Sequence, residues 1–253
     1  MRGQSWFGPA KGSHAGAVPW DSFIPSYNPN TWFKWEEALG ASIFYSTDVP
    51  IGWQLNASSS ACTTAAIKTP TGRSQALNIS ALGAYAGNQS GFGDAPEPWT
   101  QLIVAKVASV SNGNAGGGPL IACDSTNSSC GCTIFVGQNG SVSFYYSSST
   151  AWPPASGPNF AGNYADDNWH LFMLASDTTG YHFWVDDTDL TGDVAYANST
   201  FQWTVGGSAI QVGAGPSGFG TPGEMTGWIS DLVVIPARLG STDHQKIWNS
   251  LGL

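Results

Sequence analysis

The segment from residue 166 to residue 187, DDNWHLFMLASDTTGYHFWVDD, limits the fold of this chain more narrowly than any other. In a β-strand alternate side chains point to opposite faces. Residues 169 to 175 and 181 to 185 carry apolar side chains on both faces, as is typical of an inner strand in a covered sheet. Asp177-Thr178-Thr179-Gly180 supplies a turn between them. The sequence therefore predicts a β-hairpin here, not a catalytic site.

Acidic residues flank this hairpin. Asp166 and Asp167 precede it, and Asp186, Asp187 and Asp189 follow it. Asp side chains shape turns through hydrogen bonds to nearby backbone groups, so an architectural role is predicted for them. His170 and His182 are candidate cross-strand neighbours, and two imidazoles can begin a zinc site. No nearby Cys or Glu completes a ligand set, so we expect core or interface histidines and predict no metal.

Similar short apolar segments recur about every ten residues from residue 51 onward, separated by turn clusters, as in β-sandwiches. They are residues 99 to 110, 118 to 123, 132 to 137, 141 to 146, 208 to 215 and 227 to 236. Only 10% of the residues are charged and 13% are aromatic, which favours an all-β fold over helices. The final stretch STDHQKIWNSLG predicts a short closing helix, capped by Ser241 or Thr242, with Ile247, Trp248 and Leu251 facing inward.

The first 50 residues lack the regular pattern of apolar segments and turns seen from residue 51 onward, and have Pro and Trp at irregular spacing. We interpret residues 1 to 50 as an extended arm with a helical turn near TWFKWEEALG, since Trp32, Trp35 and Leu39 have helical spacing and Gly40 suits a C-cap. The arm is expected to dock on a partner through its aromatic residues, which are Trp6, Phe7, Trp20, Trp32 and Trp35. The alternative is that it covers one face of a sandwich formed by residues 51 to 253. Under the docking hypothesis, deleting residues 1 to 45 leaves a folded domain that no longer assembles.

Two motifs resemble a known family. In DDNWHLFMLASDTTGYHFWVDD, Trp-His opens a strand and Val-Asp closes the next, and GEMTGWISDLVVIPARLGSTDHQKIW is similar to a closing strand followed by a short helix. Their order and spacing resemble laminin-G-like, concanavalin A-like domains. The resemblance implies an antiparallel two-sheet jelly-roll sandwich over residues 51 to 253. Asp187 stands where the family usually has Gly.

The resemblance bears on metals and on catalysis. Relatives often hold Ca²⁺ at the rim with Asp and main-chain oxygens, and Asp124, Asp187 and Asp189 are candidates by charge. No ligand set maps residue by residue, so no cofactor is assigned. Related glucanases use a Glu-x-Asp-x-Glu strand, which this sequence lacks. Asp187 and Asp189 are the remaining candidates for an acid/base pair, but they occupy a predicted turn. We therefore expect no enzymatic activity.

Charge argues against some classes of partner, and the cysteines predict a disulfide. The 17 acidic residues outnumber 8 basic ones, and this balance argues against nucleic acid and anionic membranes. No apolar run is long enough to span a bilayer, and the first 20 residues lack the apolar stretch of a standard secretion signal. A disulfide joining Cys123 to Cys130 or to Cys132 is predicted, although reduced thiols and other pairings stay open.

Aromatic residues gather around a long Pro/Gly/Ser-rich loop between residues 145 and 164. Tyr145, Tyr146, Trp152 and Tyr164 are the candidate ligand-binding residues, because aromatic faces beside Asn and Asp suit sugar rings or a protein contact. We expect a non-catalytic structural or adhesive protein of a larger extracellular particle, such as a phage decoration, fibre or minor tail subunit. It is expected to be oligomeric, to contact other virion or surface subunits and to bind cell-surface glycan. The alternatives are a free-standing secreted lectin-like module and, less favoured, a glycoside hydrolase.

Overall fold

The computed structural model describes eight stretches of the chain, which are residues 19–47, 54–88, 98–111, 117–125, 132–146, 159–195, 208–213 and 224–253. Within them, seventeen strands form two antiparallel sheets. The first sheet contains β1 (Thr31–Phe33), β4 (Cys62–Ala66), β5 (Gln75–Ile79), β7 (Trp99–Ser111), β12 (Trp169–Asp177), β13 (Gly180–Val185), β14 (Thr188–Asp189), β15 (Val194–Ala195) and β17 (Glu224–Ile235). The second contains β2 (Ile43–Tyr45), β3 (Gln54–Ala57), β6 (Ala86–Asn88), β8 (Gly117–Ser125), β9 (Cys132–Gly137), β10 (Val142–Tyr146), β11 (Asn159–Phe160) and β16 (Ser208–Val212).

The two sheets pack face to face, which confirms the predicted all-β sandwich. Strand order is β14-β13-β12-β7-β17-β5-β4 in the first sheet and β11-β10-β9-β8-β16-β6-β3-β2 in the second. Buried side chains from both sheets form one core between them, and the ring of Phe144 in β10 contacts that of Phe183 in β13 at 5.2 Å. Burial of apolar area of this kind is the main favourable contribution to folding.

A second cluster of buried residues lies on the outer face of the first sheet. Helices α1 (Trp20–Phe23) and α2 (Ser241–Leu251) belong to this face, where Trp20, Ile247 and Leu251 pack against the sheet. The predicted closing helix and its inward-facing Ile247 and Leu251 are thus confirmed, and Trp248 is half-buried. The helix cap differs from the prediction, because Gly240 is the N-cap and makes no side-chain cap bond.

The hairpin predicted from residues 166 to 187 is confirmed. β12 and β13 pair antiparallel, with Asp177 opposite Gly180 across the turn. Their alternation also matches the prediction: Phe172 and Phe183 lie in the core between the sheets, and Leu171 and Trp184 lie in the outer cluster. Period-two alternation therefore assigned each face correctly.

The arm interpretation is wrong for residues 19–47. β1 pairs with β17 in the first sheet, and β2 pairs with β3 in the second, so these residues are part of the sandwich. Trp20, Trp32 and Trp35 are 2%, 0% and 1% exposed and pack inside this chain, so they are not surfaces for a partner. Trp6 and Phe7 lie outside the described residues.

The helical turn predicted near TWFKWEEALG is also wrong. Residues 31 to 33 form β1, and Trp35 adopts a φ of +55°, a left-handed conformation that no α-helix accommodates. This conformation coincides with the placement of the Trp35 ring against Phe33 and Phe44, with centroids 5.3 Å away in each case. Core packing of three aromatic rings thus outweighs the weak helical spacing.

A buried ion cluster fixes this segment to the sheet. Asp231 in β17 is fully buried, and its Oδ1 accepts hydrogen bonds from the indole N–H groups of Trp20 and Trp32 at 3.2 and 2.8 Å. Arg73 donates to the same carboxylate and to Asp21 and Glu36. We call Asp231, Arg73, Asp21 and Glu36, with the two indoles, the Asp231 cluster. A buried charge requires pairing of this kind.

The backbone register bears on the predicted disulfide. Ala122 in β8 lies opposite Thr133 in β9, so the same register continued by one residue sets Cys123 opposite Cys132. Directly opposed residues of antiparallel strands have the Cα separation that a disulfide requires. Cys130 lies outside the described residues, and Cys62 is buried as a free thiol whose pKa burial raises to about 12. The pairing of Cys123 with Cys132 stays a prediction.

Candidate functional site

Of the four predicted ligand-binding residues, the structure describes the side chain of Tyr164. Trp152 lies outside the described residues, and Tyr145 and Tyr146 are described only as backbone of β10, opposite Thr133 and Cys132. The Tyr164 ring is half-buried and packs edge-on against His170 and Phe172, at 5.4 and 6.1 Å between centroids. Tyr164 therefore lies at the rim of the core, beside the start of the hairpin.

His170, next to Tyr164, is held between two carboxylates. Its Nδ1 lies 2.7 Å from Asp186 Oδ2 and its Nε2 lies 3.0 Å from Asp166 Oδ1. The other oxygen of Asp186 accepts the backbone N–H of Leu171 at 2.9 Å. This arrangement, which we call the His170 clamp, joins the start of β12 to the end of β13. Asp186 has a φ of +56°, a conformation that Asp tolerates better than most residues.

The clamp shifts the pKa values of His170 and Asp166. Burial alone would lower the pKa of His170, but hydrogen bonds and charges from Asp186 and Asp166 outweigh burial and raise it. Burial likewise favours the neutral form of Asp166, yet hydrogen bonds from Asn168 and His170 hold its pKa down at about 2. Burial, followed by the charge of Asp186, raises the pKa of Tyr164. The clamp thus favours an imidazolium between two carboxylates.

We expect the clamp to make stability depend on pH. Because the pKa of folded His170 is raised above its ordinary 6.5, its stabilisation is complete below pH 6.5 and is lost as the pH rises through the folded value. In urea unfolding, His170→Gln should therefore cost about 1.5–3 kcal/mol at acidic pH, the range of a hydrogen bond to a charged group. That cost should shrink toward pH 8.

A second histidine gives the matched control. Burial lowers the pKa of His244, so the cost of His244→Gln should change with pH in the opposite direction. A cost of His170→Gln that stayed constant from pH 5 to pH 8 would contradict the clamp.

His182 belongs to a separate group on the outer face of the first sheet. Its ring stacks on Trp184 with centroids 3.6 Å apart, and the Trp184 ring also stacks on His244 at 5.2 Å. His182 Nε2 lies 2.8 Å from Asp189 Oδ1. The register places His182 opposite Ala175, so His170 and His182 are not cross-strand neighbours and the predicted histidine pairing is wrong. The closing-helix residue His244 was not singled out from the sequence.

The acids named as catalytic or calcium candidates are described in part. Asp187 and Asp189 are exposed, and Asp189 Oδ1 accepts the backbone N–H groups of Thr191 and Gly192. Partial desolvation of the Asp189 carboxylate would raise its pKa, but these bonds and the hydrogen bond and charge of His182 outweigh it and lower the pKa. The side chain of Asp124 is outside the described part of the chain. Among the residues that the structure describes, no three His, Cys, Asp or Glu side chains are arranged to hold a metal ion.

The hairpin turn shows the same use of acids. Asp177 Oδ1 accepts hydrogen bonds from the backbone of Thr179 and Gly180, and its Oδ2 binds Arg238 at 2.9 Å. Although burial favours the neutral form, these bonds hold the pKa of Asp177 down at about 2. The predicted architectural role of this aspartate thus has a defined set of bonds.

Over the described ranges, no helix is long and apolar enough to cross a membrane.

Comparison with known proteins gives similarity of fold without similarity of sequence. No family model and no curated protein matches the chain. A sialidase from Trypanosoma rangeli, solved in complex with sialic acid, matches 90% of this chain at 13% identity, with a TM-score of 0.60. The binding domain of botulinum neurotoxin DC, solved in complex with rat synaptotagmin II, matches 88% at 11% identity and a TM-score of 0.60.

A third solved structure concerns botulinum neurotoxin type C and its interaction with two ganglioside molecules, at 12% identity and a TM-score of 0.57. The matched regions make up 33% of the sialidase chain and 52–53% of the two toxin chains, so this chain spans only part of each. At these identities the comparison establishes a shared β-sandwich architecture.

Proposed function

We propose that this chain is a non-catalytic, laminin-G-like glycan-binding module that acts as an adhesive or structural subunit on a larger extracellular particle such as a phage virion. The observation that supports the non-catalytic part is the geometry of three hairpin acids, whose oxygens are engaged in turn and histidine hydrogen bonds. A glycosidase needs one carboxylic acid with a raised pKa to protonate the leaving group. Asp166, Asp177 and Asp189 instead have lowered pKa values, since each accepts turn or histidine hydrogen bonds.

Glycan binding is supported by the fold comparison and by the aromatic residues of the sequence. Two of the similar structures are a sialidase in complex with sialic acid and botulinum neurotoxin type C, whose cell entry depends on interaction with two ganglioside molecules. In the sequence, Tyr145, Tyr146, Trp152 and Tyr164 lie in or beside one Pro/Gly/Ser-rich stretch, and aromatic rings stack on the apolar faces of sugars. The particle role is supported by the sequence of the proposed docking segment, in which Trp6 and Phe7 lie outside the described residues.

A glycan array tests this function. We expect the purified chain to bind immobilised oligosaccharides saturably, and Trp152→Ala to weaken binding at least about tenfold, which corresponds to about 1.4 kcal/mol. The matched control is the Asp187→Asn/Asp189→Asn double variant, which should bind as the wild type does. Measuring each arm with and without Ca²⁺ tests for a metal requirement.

Two results would overturn the proposal. Binding to no glycan would remove the lectin-like role, and hydrolysis that disappears in the double variant would identify a glycosidase. Recovery of the native protein from a purified particle separates the particle subunit from a free-standing secreted lectin.

A further inference from the structure

The outer face of the second sheet carries a row of residues that the preceding site does not use. In register across β2, β3, β6 and β16 the row is Ile43, Asn56, Gly87 and Gln211. The residues next to them in sequence, which are Phe44, Leu55, Ala86 and Val212, all lie in the core between the sheets. Because side chains alternate along a strand, the row belongs to the opposite, outward face.

One end of this row presents an aromatic ring beside amides. Tyr45 is 50% exposed, which is unusual for a side chain of its size, and it lies directly opposite Gln54. Gln54 Nε2 donates to Asn56 Oδ1 at 2.8 Å, so the two amides are held side by side. Cross-strand partners on one face have Cβ atoms about 5 Å apart, which brings the ring and the amides within reach of one ligand.

The centre of the row contains a gap. Gly87 lies between Asn56 and Gln211 in the register and has no Cβ. It is paired on both sides in an extended strand and is not among the glycines with positive φ. Its backbone is therefore one that other residues also adopt, and it places no side chain between its two amide-bearing neighbours, a position we call the notch.

Gln211 in this row and Glu37 beside it each carry a buried acceptor oxygen that has no donor among the described residues. Gln211 is 7% exposed, and its Oε1 has no hydrogen-bond partner in the described part of the chain. At the β2 edge, Glu37 Oε1 accepts the Tyr45 N–H at 2.6 Å, while its buried Oε2 is unpartnered among the described residues. A buried acceptor without a donor costs about 1–3 kcal/mol, which a ligand hydroxyl would offset.

From these features we infer that this face binds an uncharged oligosaccharide, with one sugar ring stacked on Tyr45 and the next residue lying over Gly87. The inference rests on the proposed glycan-binding function and names a second site and its ligand class. The row contains amides and no basic side chain, and Glu37 lies at its edge. Hydroxyl groups suit these acceptors, whereas the carboxylate of an acidic sugar would meet a like charge.

The test uses the full chain on an array that carries both uncharged and sialylated oligosaccharides. We expect Tyr45→Ala and Gly87→Val to weaken binding to uncharged glycans at least about tenfold, the first by removing the stacking ring and the second by filling the notch. Tyr45→Phe should retain most of the affinity. Leu82→Ala, at an apolar residue 47% exposed in another loop, is the matched control and should change nothing. If Gly87→Val fails to fold, Asn56→Ala at an exposed position replaces it.

Each other outcome overturns the inference in a distinguishable way. If the wild type binds uncharged glycans and these variants bind equally well, this site is wrong while glycan binding stands, and Trp152→Ala then locates the true site. If the wild type binds only sialylated glycans, the ligand class is wrong. If it binds none, both the inference and the proposed function fail, and a protein ligand for this face would be the remaining explanation.

Discussion

Asp231→Ala is expected to lower the free energy of unfolding by about 3–5 kcal/mol, the range seen when one partner of a buried ion pair is removed. Asp231 is 0% exposed, and the Arg73 side chain that pairs with it is 3% exposed. Without the carboxylate, the guanidinium keeps Asp21 and Glu36, but both of those side chains are about half exposed and screened by water. The indole N–H groups of Trp20 and Trp32 lose their acceptor in the same step.

Urea unfolding at neutral pH measures this effect, with Asp231→Asn as the isosteric variant. Asparagine keeps the volume but removes the charge and turns one acceptor into a donor facing other donors, so a large cost is expected for it too. Asp187→Asn is the matched control, because Asp187 is exposed and should change stability by less than about 0.5 kcal/mol. A cost below about 1 kcal/mol for both Asp231 variants would show that the cluster does not stabilise the fold.

The Asp231 cluster also explains why part of the fold could not be predicted from the sequence. The hairpin was predictable because its signal is local: alternation within β12 and β13, with a turn between them. The burial of Trp20 and Trp32 inside this chain depends on the carboxylate of Asp231, which lies 211 and 199 positions away in the sequence. No local sequence pattern indicates such a contact. Isolated aromatic residues among prolines look the same whether they pack on their own sheet or on a partner.

In the candidate site too, the local contacts could be predicted from the sequence and the long-range contacts could not. The acidic residues around the hairpin were predicted to shape turns, and Asp177 and Asp189 do so through bonds to residues two and three positions ahead. The His170 clamp was not predicted, since Asp186 reaches His170 across 16 positions only when the strand register is known. The row from Ile43 to Gln211 could not be predicted either, because its residues come from four separate strands whose pairing the sequence does not reveal.

The second large effect concerns the N-terminal segment. Deleting residues 1 to 45 is now expected to abolish cooperative folding, in contrast to the folded product that the docking hypothesis predicts. The deletion removes β1, β2 and the buried rings of Trp20, Trp32 and Trp35. Loss of one buried large aromatic side chain costs about 3–5 kcal/mol. The combined cost of losing three is therefore comparable to the whole free energy of unfolding of a typical domain, which is about 5–15 kcal/mol.

Deleting only residues 1 to 18 is the informative comparison. This shorter deletion removes Trp6 and Phe7 but leaves every contact of the Asp231 cluster, so the product should unfold cooperatively with a midpoint close to that of the full chain. Circular dichroism during thermal unfolding distinguishes the two deletions. A cooperative transition in the chain lacking residues 1 to 45 would contradict the assignment of residues 19–47 to the core. If the chain lacking residues 1 to 18 folds but still enters the particle, docking through Trp6 and Phe7 is wrong.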